Sequence, residues 1–109
     1  VCQDKEGQIK ETESISAGLD YPSVSPMHCY LKDSKRARYV SATDEAALNA
    51  YKLVTKLEKI NPSLEPSHAF AEAIKIAPKL KKETVIIVNS CGDAKKDRDI
   101  LKARLGKIK

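Results

Sequence analysis

Two stretches of the chain repeat apolar residues at three- and four-residue steps, a spacing that places side chains on one face of a helix. The apolar positions are Ala47, Ala50, Tyr51, Val54 and Leu57 in the first stretch and Ala69, Phe70, Ala73, Ile74 and Ala77 in the second. Thr43, followed by Asp44 and Glu45, predicts the start of the first helix, because a threonine oxygen can cap it and acidic residues suit its positive end. Pro66 fits the first turn of the second helix, and Pro78 predicts its end.

Two shorter helices are predicted on either side of this pair. Pro26 favours the first position of a helix, which we expect to run over residues 27–31 and to end near Lys35. The last helix is predicted from apolar residues at Leu101, Leu105 and Ile108. Residues 38–42 (RYVSA) contain β-branched and aromatic members and favour a short strand.

The clearest strand signal lies at residues 84–89, where the run Val85–Val88 is apolar at every position. Such a run is typical of a central strand in a parallel sheet, which helices cover on both faces. The chain is therefore predicted to form a single α/β segment over residues 1–109, with a short, mostly parallel sheet flanked by helices. The polar residues 1–12 favour a loop or a short edge strand, with a flexible arm as the alternative. Ligands bind beyond the carboxyl ends of such strands, so the loop after Asn89 is the first candidate for a site.

Charge and composition exclude several classes of function. The net charge is +5 with a pI near 9.1, but the lysines are spread along the chain. Only five residues are aromatic, four tyrosines and one phenylalanine, so bases would find few stacking surfaces and we expect no nucleic-acid binding. The longest apolar run, with four residues, is far too short to cross a membrane.

Cysteine usage bears on the compartment. Three cysteines without a CxxC motif, and two histidines forty residues apart, argue against a disulfide framework or a zinc site. Charged residues close to the start, Asp4 to Glu6, argue against a signal peptide. These features together favour the reducing cytoplasm.

Four blocks of the sequence carry a resemblance to a known family: ESISAGLDYPSVSPMHCYL, YVSATDEAALNAYKL, NPSLEPSHAFAEAIK and VIIVN. In this order and spacing they closely resemble tryptophan synthase β chains, and the closing DILKAR is similar to some members. The resemblance covers essentially the whole chain and only the C-terminal part of the family's sequence. It implies part of a fold-type II pyridoxal-phosphate enzyme, which condenses indole with serine to tryptophan beside an α chain that supplies the indole.

The resemblance also implies roles for individual residues. Asp20, in AGLDYP, matches an aspartate that helps to close the site over the serine-derived substrate, and Glu65, in PSLEPSH, matches a catalytic carboxylate. Backbone carbonyls at Tyr21 and Ser23 match part of a monovalent-cation site. The residues by themselves leave simpler interpretations open, because Asp20 could cap a turn and Glu65 could cap the second helix.

The loop NSCGDAKKD stands where the family has N-L-S-G-R-G-D-K-D. Without a gap, Cys91 replaces the serine that meets the cofactor's pyridine nitrogen, and a one-residue shift would place Ser90 there. Gly92 matches the glycine that follows. The family's Schiff-base lysine and glycine-rich phosphate cup have no counterpart in this sequence. We therefore expect no pyridoxal phosphate on the isolated chain and no catalysis by it.

Four further substitutions fall in family-specific loops. Ser25 and Lys59 replace glycines, Asn61 replaces an isoleucine, and Ser63 replaces an alanine. These changes make the loops more polar while the helix stripes stay apolar, which favours a segment re-surfaced to stand alone over a decaying copy.

Two classes of function remain. In the first, the chain is a non-catalytic segment that folds alone, docks onto the rest of a β chain or associates with itself through a sheet edge. In the second, it is an anion- or cofactor-binding module that uses the loop after Asn89 with Lys95 and Lys96. Complementation by a separate chain would restore an intact synthase, although the substitutions around Cys91 argue against efficient turnover.

Overall fold

The computed structural model describes residues 1–106, and its regular structure is almost entirely helical. The α-helices within these residues are α1 (Pro26–Asp33), α2 (Asp44–Glu58), α3 (Leu64–Ile76) and α4 (Arg98–Leu105), with short 3-10 turns at Ala17–Leu19, Ala77–Lys79 and Ala94–Asp97. The chain divides into two compact units, Val1–Ser41 and Ala42–Lys109. No helix in the described part is long and apolar enough to cross a membrane.

The predicted helix starts are confirmed where local chemistry sets them. Pro26 is the first residue of α1. The Thr43 hydroxyl accepts a hydrogen bond from the Ala46 N–H at 3.2 Å and so caps α2. The third helix begins at Leu64, two residues before Pro66, and ends in a 3-10 turn at Pro78.

The buried face of α2 follows the predicted stripe. Its buried residues are Ala47, Ala50, Tyr51 and Val54. Leu57, which was predicted to belong to the same stripe, is 62% exposed. In α4, Leu101 is buried and Leu105 half-buried, whereas Ile108 lies outside the described residues.

The predicted apolar face of α3 is correct only in part, because Phe70 and Ala73 are half-buried and the other three residues are not. Ala69, Ile74 and Ala77 are exposed, and the buried residues of this region belong to the first turn, at Leu64, Pro66 and Ser67. The helix is therefore buried at its start rather than along a continuous apolar stripe.

The predicted layered, mostly parallel sheet is also wrong. Within residues 1–106 the only β pairing is an isolated antiparallel bridge between Gln3 and Ile9, and residues 38–42 and 84–89 form no strand. Val85 and Ile87 are 82% and 90% exposed. A strand needs hydrogen-bonded neighbours, and no other described stretch of this chain pairs with residues 84–89. The apolar pattern thus indicates residues that favour burial, but no other described part of this chain covers Val85 and Ile87.

Residues 1–12, predicted as a loop or flexible arm, contain a local turn. One Asp4 carboxylate oxygen accepts hydrogen bonds from the Glu6 and Gln8 N–H groups at 3.0 and 2.8 Å. This pattern is typical of aspartate in turns. Flexibility of the arm stays a prediction.

Candidate functional site

A buried carboxylate joins the loop after Val88 to the start of α3. Asp97 Oδ2 accepts a hydrogen bond from the Leu64 N–H at 2.8 Å across 33 residues of sequence. The Asp97 side chain is only 3% exposed. A helix start leaves backbone N–H groups without partners, and Ser63, the residue at the cap position, makes no side-chain cap hydrogen bond. Asp97 therefore satisfies one of these N–H groups from a distant part of the chain.

Ser63 instead holds the loop. Its buried hydroxyl donates to the Cys91 carbonyl oxygen at 2.8 Å. The next residue, Gly92, has φ +82°, and a Cβ added there would lie 2.7 Å from Ser63 Oγ. Glycine is required at this point both for its backbone conformation and for the close approach.

Lys96 links the loop to Glu65. Its Nζ lies 2.7 and 2.8 Å from the two carboxylate oxygens of Glu65 and 3.1 Å from Asp97 Oδ1. The hydrogen bond to Glu65, supported by the nearby charges, raises the pKa of Lys96 above its ordinary 10.5, and partial burial opposes this only in part. Lys96 is therefore a cation at neutral pH, and three carboxylate oxygens accept from its ammonium group.

The structure brings several predicted site residues into this one arrangement. Glu65 contacts the loop directly, Cys91 provides the carbonyl that accepts from Ser63, and Gly92 passes next to that serine. The Cys91 thiol and the neighbouring Ser90 are exposed. Glu65 lies within the first turn of α3, so the simple interpretation of this residue as the helix cap is wrong.

Asp20 lies in the other unit and has a different environment. Its backbone N–H, not its carboxylate, contacts the Ala17 carbonyl at the end of a 3-10 turn. Its Oδ1 is buried and has no hydrogen-bond partner in the described part of the chain. A buried carboxylate oxygen in this state is costly unless something else satisfies it.

The turn that follows Asp20 offers carbonyl groups to solvent only in part. Tyr21 is 69% exposed and Ser23 is also exposed, while the carbonyl of the intervening Pro22 accepts from the Cys2 N–H. Residues 1–106 contain no cluster of three or more histidine, cysteine, aspartate or glutamate residues suited to a metal. A monovalent-cation site at Tyr21 and Ser23 stays a prediction.

Known proteins resemble this chain over nearly its full length. No family model matches it. It is 51% identical over 106 residues to the tryptophan synthase β chain of Bordetella petrii. The aligned region makes up 97% of this chain and 27% of the Bordetella protein. The tryptophan synthase β chain of Fusobacterium nucleatum is 57% identical over 93 residues, which make up 85% of this chain and 24% of that protein. The chain belongs to the tryptophan synthase β-chain family. It is a C-terminal segment and spans about a quarter of the length of the curated relatives it matches.

Two residues that replace glycines of the family, Lys59 and Ser25, differ in backbone conformation. Lys59, in place of a glycine of β chains, ends α2 in the left-handed conformation with φ 59°, which favours glycine. Its Nζ donates to the Lys56 carbonyl at 2.8 Å. Ser25 has φ −64° and is exposed, so the backbone there does not need glycine.

The altered β-chain loop has its own local support. Asp93, where the family has arginine, accepts from the Lys95 N–H at 2.8 Å and caps the 3-10 turn Ala94–Asp97. In the same ungapped register, Lys96 and Asp97 coincide with the family's closing K-D. The polar network at α3 is thus built on the two positions that follow the family pattern.

The residues of this segment do not fit pyridoxal phosphate by themselves. A Schiff base forms through a neutral amine, but Glu65 and Asp97 hold Lys96, a lysine that contacts Glu65, as a cation. The exposed Cys91 thiol is a weak hydrogen-bond donor for a pyridine nitrogen.

Proposed function

We propose that this chain serves as the C-terminal segment of a tryptophan synthase β chain and is not catalytic by itself. The observation that carries the proposal is the exposed apolar run over residues 85–87. Val85, Ile86 and Ile87 are 82%, 38% and 90% exposed. Consecutive exposed apolar residues mark an interaction surface, and their burial would remove apolar area from water.

The partner proposed for this run is the preceding part of a β chain. The chain spans about a quarter of its relatives, so the larger part of a β chain is available to cover the run. In that assembly the chain would supply Glu65 and the loop over residues 89–97. The rest would supply the Schiff-base lysine, the phosphate cup and the bound pyridoxal phosphate. Condensation of indole with serine, beside an α chain, is the activity proposed for the assembly.

Complementation tests this proposal directly. The chain would be coexpressed with a Fusobacterium nucleatum β chain truncated before the matched region, and tryptophan formation from indole and serine would be measured. We expect activity from the pair and none from either part. Ile87→Lys should abolish activity by weakening association, whereas Leu57→Lys, which changes an apolar residue that is 62% exposed on α2, should not. Association without activity, or no association, would contradict the proposal.

The alternative of an anion-binding module has less support from the contacts. Lys96 is neutralised by Glu65 and Asp97, and Lys95 Nζ lies 3.8 Å from Asp93 Oδ2. Equilibrium dialysis of the isolated chain with pyridoxal phosphate separates the two functions. Salt-sensitive binding that disappears when Lys95 and Lys96 are both changed to glutamate would favour the module.

A further inference from the structure

We infer that Lys96 is a positioning residue for Glu65, and that Asp97 fixes this lysine at the start of α3. The role goes beyond the residues that the family resemblance supplied, which include Glu65 but neither of its two partners. It rests on the proposed function where it concerns turnover. Its structural part can be tested on the isolated chain.

The contacts of Lys96 restrict the Glu65 carboxylate. One ammonium group approaches both carboxylate oxygens, at 2.7 and 2.8 Å. Contact with both oxygens restricts rotation of the carboxylate as well as its position. The Glu65 side chain is only 19% exposed, so water competes less for these oxygens than it would at an open surface.

Lys96 is itself held by Asp97. Asp97 Oδ1 lies 3.1 Å from Lys96 Nζ, and Asp97 Oδ2 accepts from the Leu64 N–H. Leu64 directly precedes Glu65, so one buried carboxylate contacts both the lysine and the backbone next to the glutamate. A displacement of the loop would therefore move the ammonium group and release the helix start together.

The charges around Lys96 are opposite to its own. Two carboxylates around one ammonium group favour the protonated lysine, and the raised pKa of Lys96 follows from the same contacts. The ammonium group contacts both oxygens of Glu65, so this carboxylate is held in one orientation as a hydrogen-bond acceptor.

The structural part is tested by following the Lys96 ammonium group by NMR as the pH is raised. In the isolated chain, Glu65→Gln should lower the pKa of Lys96 towards 10.5, because the Glu65 hydrogen bond is the largest cause of its elevation. Asp97→Asn should lower it as well, because Asp97 Oδ1 lies 3.1 Å from the same ammonium group. An unchanged Lys96 titration in Glu65→Gln would overturn the inference.

The functional part uses the complemented assembly. Lys96→Met should lower kcat about tenfold or more with little change in KM, because a displaced catalytic group costs turnover rather than substrate binding. It should also alter the pH profile of kcat, while Lys96→Arg restores much of the rate and Lys102→Met has no effect. An unchanged kcat and pH profile in Lys96→Met would overturn the positioning role. If the native chain does not complement, the proposed function fails, and the NMR titration alone decides the inference.

Discussion

Gly92 passes Ser63 so closely that a Cβ at Gly92 would lie 2.7 Å from Ser63 Oγ. The same hydroxyl donates to the carbonyl oxygen of Cys91, the residue before this glycine. The approach of loop to helix and the hydrogen bond are thus one feature, and neither residue can change without affecting the other.

Gly92→Ala should destabilise the chain by about 1–3 kcal/mol, because alanine would adopt a left-handed conformation and also contact the Ser63 side chain. Ser63→Ala should cost about 1 kcal/mol through loss of the hydrogen bond to Cys91. Denaturant unfolding of both single variants and the double variant measures the coupling. The Gly92→Ala cost should be smaller in the Ser63→Ala background, and equal costs would show that the steric contact is unimportant.

Lys59→Gly should stabilise the chain by up to about 1 kcal/mol, since glycine adopts φ 59° without the strain that a Cβ causes. The gain is limited by loss of the hydrogen bond from Lys59 Nζ to the Lys56 carbonyl. Denaturant midpoints of the native chain, Lys59→Gly and Lys59→Ala resolve the two effects. Lys59→Ala loses the hydrogen bond and keeps the strain, so it should be the least stable of the three.

The sequence predicted the parts of the fold that depend on neighbouring residues. Thr43 and the two acidic residues after it are a local signal, and the cap they predicted is present. The stripe of α2 is periodic over fifteen residues and was mostly correct. The sheet could not be judged in this way, because the apolar run at residues 84–89 specifies burial but not what provides it.

The candidate site also contains residues that the sequence predicted and residues that it did not. Glu65, Cys91 and Gly92 were found through resemblance to β chains, and the structure places them around one loop. The sequence did not predict that Asp97 and Lys96 connect this loop to α3. The contacts of Asp97 with Leu64 and of Lys96 with Glu65 span 33 and 31 residues, and such distant contacts leave no periodic or spacing signal. Only the agreement of the K-D pair with the family loop pointed towards them.

Asp97→Ala should destabilise the chain by roughly 2–3 kcal/mol, because it leaves the Leu64 N–H without its acceptor in a buried setting. Asp97→Asn keeps an oxygen for this N–H and should cost less. Hydrogen exchange at the Leu64 amide, measured beside global unfolding, assigns the effect to the helix start. An amide equally protected in native chain and Asp97→Ala would refute the capping role.

The ion pair between Lys96 and Glu65 should contribute a pH-dependent part of the stability on the alkaline side. The pKa of Lys96 is raised in the folded chain, so the folded chain binds this proton more tightly than the unfolded chain does. The contribution is fully present below the unfolded value of 10.5 and is lost as the pH rises through the raised folded value. Because Lys96 is 45% exposed, screening by solvent limits this contribution to roughly 0.5–1 kcal/mol.

Unfolding free energies of the native chain and Lys96→Met should therefore differ at pH 8 and converge at strongly alkaline pH, whereas Lys102→Met should show no such convergence. A difference that persists after Lys96 has lost its proton would mean that packing of the lysine stem, rather than its charge, stabilises the contact.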